Sequence, residues 1–269
     1  MNTESGKAVA DSVQNSRAFR TMARVGYVVL GIVHLVIGAI AISVAVGAGG
    51  GDADQGGAME QVSRVPFGIF VLWVIALGLF ALGVWQIGEA IVEREPDTKK
   101  KWGYRVKYVG TAIAYFAIGA TALTYALGGQ SDSSQSTEAL SAQLLATPGG
   151  VVLLVIVGLV VLGVGVAFIV RGIKKSFEKH LSLPAGKVGD GVRTLGMVGY
   201  VAKGIAIGVV GVLFLVAALT TDAEKAGGLD AALKSLADLP FGQIILWLVG
   251  AGLMVYGVYC FARAKYARL

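Results

Sequence analysis

The sequence predicts an all-α integral membrane protein with six transmembrane helices. They form three parallel two-helix repeats around a pseudo-threefold axis, with short interfacial helices on the outer face. Three observations predict this. Six apolar blocks, at about 26–48, 67–90, 108–127, 150–170, 198–219 and 241–262, are each long enough to cross a hydrocarbon core of roughly 30 Å. Only 15% of the 269 residues are charged, against about 25% in soluble domains, which is too few to cover a water-facing surface. The charge also alternates from one connection to the next. No block shows strand-like alternation, and in lipid a helix satisfies its own backbone polar groups.

The elements follow in chain order. Residues 1–22 read as a cytoplasmic tail, and repeats are expected at 23–92, 105–176 and 194–266. Val46-Gly47-Ala48 loosely resembles a signal-peptidase site, but the stretch before it exceeds the roughly 7–15 apolar residues of a signal sequence, so the first helix is expected to be retained. Nineteen of the 23 Lys and Arg residues lie in the N-terminal segment, the 89–107 and 171–193 connections and the C-terminal tail. The other three connections carry Arg64, Lys225 and Lys234 beside nine Asp and Glu residues. The positive-inside rule places both termini in the cytoplasm. The basic excess then reflects topology and contact with anionic lipids, not nucleic acid. Cys260 is the only cysteine, so the chain has no internal disulfide and no cysteine-based metal framework.

Internal similarity organises the rest. Arg24-Val25-Gly26-Tyr27, Arg105-Val106-Lys107-Tyr108 and Met197-Val198-Gly199-Tyr200 align, followed at one spacing by Gly38, Gly119 and Gly211. The even-numbered helices open at Pro66-Phe67-Gly68, Pro148-Gly149-Gly150 and Pro240-Phe241-Gly242, and Gly83, Gly165 and Gly257 coincide within them. Proline fits the first turn of a helix, where its missing N–H would be unpaired anyway. Before each proline lies a short amphipathic stretch: Met59, Val62 and Val65; more weakly Leu140 and Leu144; then Leu229, Leu233, Leu236 and Leu239. Such a segment is expected to lie at the outer interface, its apolar face toward lipid or the bundle.

These motifs resemble the bacterial membrane family known as domain of unknown function 1206. The likeness rests on Ala23-Arg24-Val25-Gly26-Tyr27, Gly199-Tyr200-Val201-Ala202-Lys203-Gly204 and the Pro-Phe-Gly openings. It covers about 23–265, and the second repeat departs most, lacking Phe after Pro148 and the Lys-Gly step. The resemblance implies three tandem two-helix units and a plasma-membrane location; it carries no activity.

Ionisable groups inside a membrane are costly and often functional. His34, with Tyr115 and Ile207 as its repeat equivalents, could relay a proton or hold a ligand near the axis, or simply bond a neighbouring helix. Lys203 could snorkel to the interface or act as counter-ion to an anionic headgroup or substrate. Glu89 aligns with Arg171 and Arg263, a set that could close the basic end as an ion-pair cluster. The tyrosines near helix ends, Trp73, Trp102 and Trp247 read as interfacial anchors, and the glycines as close-packing sites. No Walker A, Gly-x-Ser-x-Gly, His-Glu-x-x-His or CxxC motif occurs, so no enzyme, cofactor or metal is expected. The reading is a non-enzymatic structural or assembly component that engages lipid and a membrane-protein partner. The alternative is a small-solute or ion channel or carrier along the axis.

Overall fold

The computed structural model describes residues 17–48, 51–93 and 97–268. Most of the expected N-terminal tail, together with Arg94, Gly49 and Gly50, lies outside them. Among the described residues the α-helices are α1 (Arg17–Ala45), α2 (Gln55–Ser63), α3 (Gly68–Val92), α4 (Thr98–Ala126), α5 (Ser133–Leu145), α6 (Gly150–Ile173), α7 (Lys187–Thr220), α8 (Gly228–Ala237) and α9 (Gly242–Tyr266). Six of these, α1, α3, α4, α6, α7 and α9, are long and apolar enough to cross a membrane. The three short helices fall on the amphipathic stretches. Asp54, Asp97 and Asp132 start α2, α4 and α5 by accepting first-turn backbone N–H groups. Because of such a cap, α4 begins at Thr98, well before its apolar block, and carries the basic run outward in helical form.

The prolines do not sit in the first helical turn. Pro66, Pro148 and Pro240 each take the second position of a type II turn that precedes the helix. Its third residue is left-handed: Phe67 (φ 63°), Gly149 (φ 79°) and Phe241 (φ 60°). The turns close through N–H groups of Gly68, Gly150 and Gly242, donated to Val65, Thr147 and Leu239 carbonyls at 2.9, 2.9 and 2.7 Å. A Cβ on Gly68 or Gly150 would stand 1.8 or 1.5 Å from a carbonyl oxygen of the preceding short helix, so the motif ends in glycine. The second repeat's departure, Gly149 for phenylalanine, puts an unstrained residue where the other two copies hold a strained one. Phe67 and Phe241 are 86% and 82% exposed, so core packing is not what retains them.

The closest helix pairs do not form within repeats. They join the second spanning helix of one repeat to the first of the next: α3 with α4, α6 with α7, and α9 with α1. Glycines set these crossings. Gly31 and Gly38 meet the carbonyls of Gly257 and Gly250, and Gly204 meets that of Gly165, the close approach that substitutes for a hydrophobic drive in lipid. At the α3–α4 seam the ring of Phe116 fills the space over Gly83 instead. Within repeats, α7 packs on α9 and α1 on α3, whereas α4 and α6 form no packed pair and leave a slot between them.

At the acidic end, α2 and α8 turn their apolar faces into the bundle, burying Met59 and Val62, and Leu233 and Leu236, while α5 leaves Leu140 exposed. Buried Asp230 ties repeat three to repeat one. Its Oδ1 accepts the Ala53 N–H at 2.8 Å and its Oδ2 pairs with Lys234 Nζ at 2.6 Å, which also reaches Asp52 at 3.4 Å. Burial, then the Asp230 and Asp52 charges, push the Asp54 carboxyl above its usual range against the bond donated by the Gly57 N–H. For Lys234, burial opposes the charge, but Asp230 and Asp52 outweigh it and raise the pKa.

Candidate functional site

Six elements bring aromatic rings and cations together at the basic end of the bundle. Tyr200, on α7, is 1% exposed and central. Phe168 of α6 stacks on it at 5.8 Å and Phe177, from the 3-10 turn Ser176–His180, at 5.3 Å. Tyr256 and Tyr259 of α9 meet it edge-on at 5.3 and 5.6 Å. Tyr256, Tyr259 and Arg263 recur at helical spacing, so one face of α9 delivers all three. The expectation that helix-end tyrosines are interfacial anchors is corrected for Tyr200, which is core; Trp73, Trp102 and Trp247 are exposed.

The cations address these rings. Arg263 lies over Tyr27 at 4.4 Å, and its Nη1 donates to the Tyr200 hydroxyl at 3.3 Å. Arg171 lies over the Tyr200 ring at 5.3 Å. Lys203 does not snorkel away: its Nζ is 4.5 Å from the Tyr256 ring centre and 5.3 Å from that of Phe168. His34 meets the Tyr256 ring edge-on at 4.7 Å, and its Nδ1 donates to the Leu30 carbonyl at 2.7 Å. Tyr115 of α4 borders the same cluster, facing Tyr27, Arg263, Tyr200 and Cys260.

The expected closure of Glu89 with Arg171 and Arg263 takes a different form. The two arginines turn to tyrosine rings, while the charges facing Glu89 are Glu93 and Lys107. Lys107 lies within electrostatic reach of Glu89, Glu93, Arg171 and Arg263, so all three end residues act on one ammonium. The field here is positive. Burial, then Arg171, Arg263, Lys107 and Lys179, lower the pKa of His180 in the neighbouring 3-10 turn.

Among the described residues, Arg171, Lys203 and Arg263 have no carboxylate within ion-pair distance. Desolvating an ion costs several kcal/mol, while a ring contact returns about 0.5–2 kcal/mol and a charged hydrogen bond about 1.5–3 kcal/mol. The rings therefore offset only part of the cost. The hydroxyl of Tyr259, itself fully buried, has no hydrogen-bond partner. The cluster suits an anion. No group of three or more His, Cys, Asp or Glu among the described residues could hold a metal ion. Sequence reasoning picked out His34, Lys203, Tyr115, Arg171 and Arg263 but missed Tyr256, Tyr259, Phe168 and Phe177. The spacing along α9 was a readable signal for Tyr256 and Tyr259.

Three segments, 25–93, 106–175 and 198–267, match the family described as Domain of Unknown Function (DUF1206), and the chain belongs to that family. It is 29% identical over 252 residues to "Uncharacterized protein YxxB" of Bacillus subtilis (strain 168), covering 91% of this chain and 90% of that protein. No solved structure matches.

Proposed function

We propose that the protein is a non-enzymatic structural or assembly component of the bacterial plasma membrane, acting through its helix surfaces. The basic end then faces the cytoplasm, with both termini, among anionic lipids. On this reading the three repeats are related by a pseudo-threefold axis along the membrane normal, with α2, α5 and α8 at the outer interface. A membrane-protein partner is expected, and nucleic acid is not.

One observation carries this reading: the basic half of the interior is filled by rings. Tyr200, Tyr256, Tyr259 and Phe177 are each at most 4% exposed. His34 and Lys203, the residues a conducting path would use, are packed on the Tyr256 ring. That supports a packed axis over a channel or carrier, which needs a continuous polar lining. Purified protein in liposomes is expected to pass ions and small solutes no faster than protein-free vesicles. Flux that His34→Ala abolishes would replace this reading with the transport one. Gentle detergent extraction at native level is expected to retain a membrane-protein partner.

A further inference from the structure

The slot between α4 and α6 and the unpaired cations lie in the same place. Tyr115 of α4 stands on one side; Phe168 and Arg171 of α6 stand on the other. Behind them are Lys203 and Tyr200 of α7 and Arg263 of α9. Lys203, Arg171, Arg263 and Tyr115 are each half-buried, as residues bordering a crevice are. The second repeat is the one whose two spanning helices do not close on each other. A crevice that opens sideways between spanning helices admits a molecule from the bilayer.

We infer that this crevice is a binding site for one anionic phospholipid, its phosphoryl group held by Arg171, Arg263 and Lys203. The chemistry matches each component. Arginine presents a planar donor fork that suits phosphate, and lysine adds a compact charge. Phe168, in contact with both the Lys203 ammonium and the Tyr200 ring, gives the site an apolar wall. The slot fits a ligand that keeps its acyl chains in the membrane, which favours a phospholipid over free phosphate. The inference rests on the cytoplasmic placement of the basic end, where anionic headgroups concentrate.

The test is native mass spectrometry of the full-length protein, stripped of lipid in a neutral detergent and titrated with phosphatidylglycerol, phosphatidylcholine or inorganic phosphate. One phosphatidylglycerol is expected to bind at least tenfold more tightly than phosphatidylcholine. Arg171→Met is expected to weaken it about tenfold, the value of one charged hydrogen bond, with the melting temperature of the lipid-free protein nearly unchanged. Lys203→Met is expected to weaken it at least as much. Equal binding of both lipids, or binding indifferent to both variants, would overturn the inference. So would inorganic phosphate that binds alone and displaces the lipid at millimolar concentration. The liposome flux measurement is separate: flux would overturn the structural reading with lipid binding intact, and loss of lipid selectivity without flux would overturn only this site.

Discussion

At the acidic end a buried carboxylate meets donors the chain itself supplies: Asp230 takes a backbone N–H from Ala53 and the ammonium of Lys234. At the basic end Arg171, Arg263 and Lys203 meet ring faces and one hydroxyl instead. The first arrangement is complete in polar terms and acts as a clasp between repeats. The second leaves donor capacity over, so it can take up a ligand. Charge of either sign can be buried in such a bundle; whether its partners are all internal separates a structural contact from a binding site.

The largest expected effect tests the ring side of this contrast. Tyr200→Ala removes the ring that Phe168, Phe177, Tyr256, Tyr259 and Arg171 all contact. It should cost about 3–5 kcal/mol in a reversible unfolding titration in detergent. Asp230→Ala should come next, at about 2–3 kcal/mol, because the buried Ala53 N–H loses its acceptor. Lys234→Met should cost well under 1 kcal/mol, since that side chain is half exposed. A larger cost would mean that the ion pair, not the backbone bond, holds the clasp. Tyr200→Phe keeps the ring and deletes only the bond from Arg263, for about 1 kcal/mol. Should it cost as much as Tyr200→Ala, the basic end is held by hydrogen bonding and the contrast between the ends fails.

The smallest effect is a pH dependence at the acidic end. The Asp54 carboxyl is raised in the folded state by burial and by its acidic neighbours. Its contribution to stability is therefore complete below the unfolded carboxylate range and is lost as pH rises through the folded value. Asp54→Asn keeps a side-chain acceptor for the Gly57 N–H and should remove that fall in melting temperature as pH rises through the weakly acidic range. An unchanged fall would assign that dependence to other groups.

The six spans were legible because apolar length and the absence of alternation are local properties. The short helices were legible from their leucine spacing, and the glycine positions from repetition. The helix pairing was not. A repeat read from sequence suggests that its own two helices are partners, whereas the close seams join Gly257 to Gly31 and Gly165 to Gly204 across repeats. The candidate site was half legible for the same reason. His34, Lys203 and the arginines stand out as ions in apolar sequence, but the rings that receive them come from helices distant in the chain. Phe168 and Tyr256 look like ordinary apolar residues until α6, α7 and α9 are brought together. The prolines were misplaced by two positions because a type II turn and a first helical turn share the same residue types.

The seam between α9 and α1 has a consequence for how the chain is made. Synthesis delivers α3 just before α4 and α6 just before α7, so two of the three seams join neighbours that emerge together. The third joins the ends of the described chain. The glycine face of α1, with Gly31 and Gly38, has no counterpart until Gly250 and Gly257 arrive. The earliest made of the six described spans is thus the last of them to find its close partner, and a chain interrupted before α9 would present that face to whatever quality-control protease or insertion factor lies alongside.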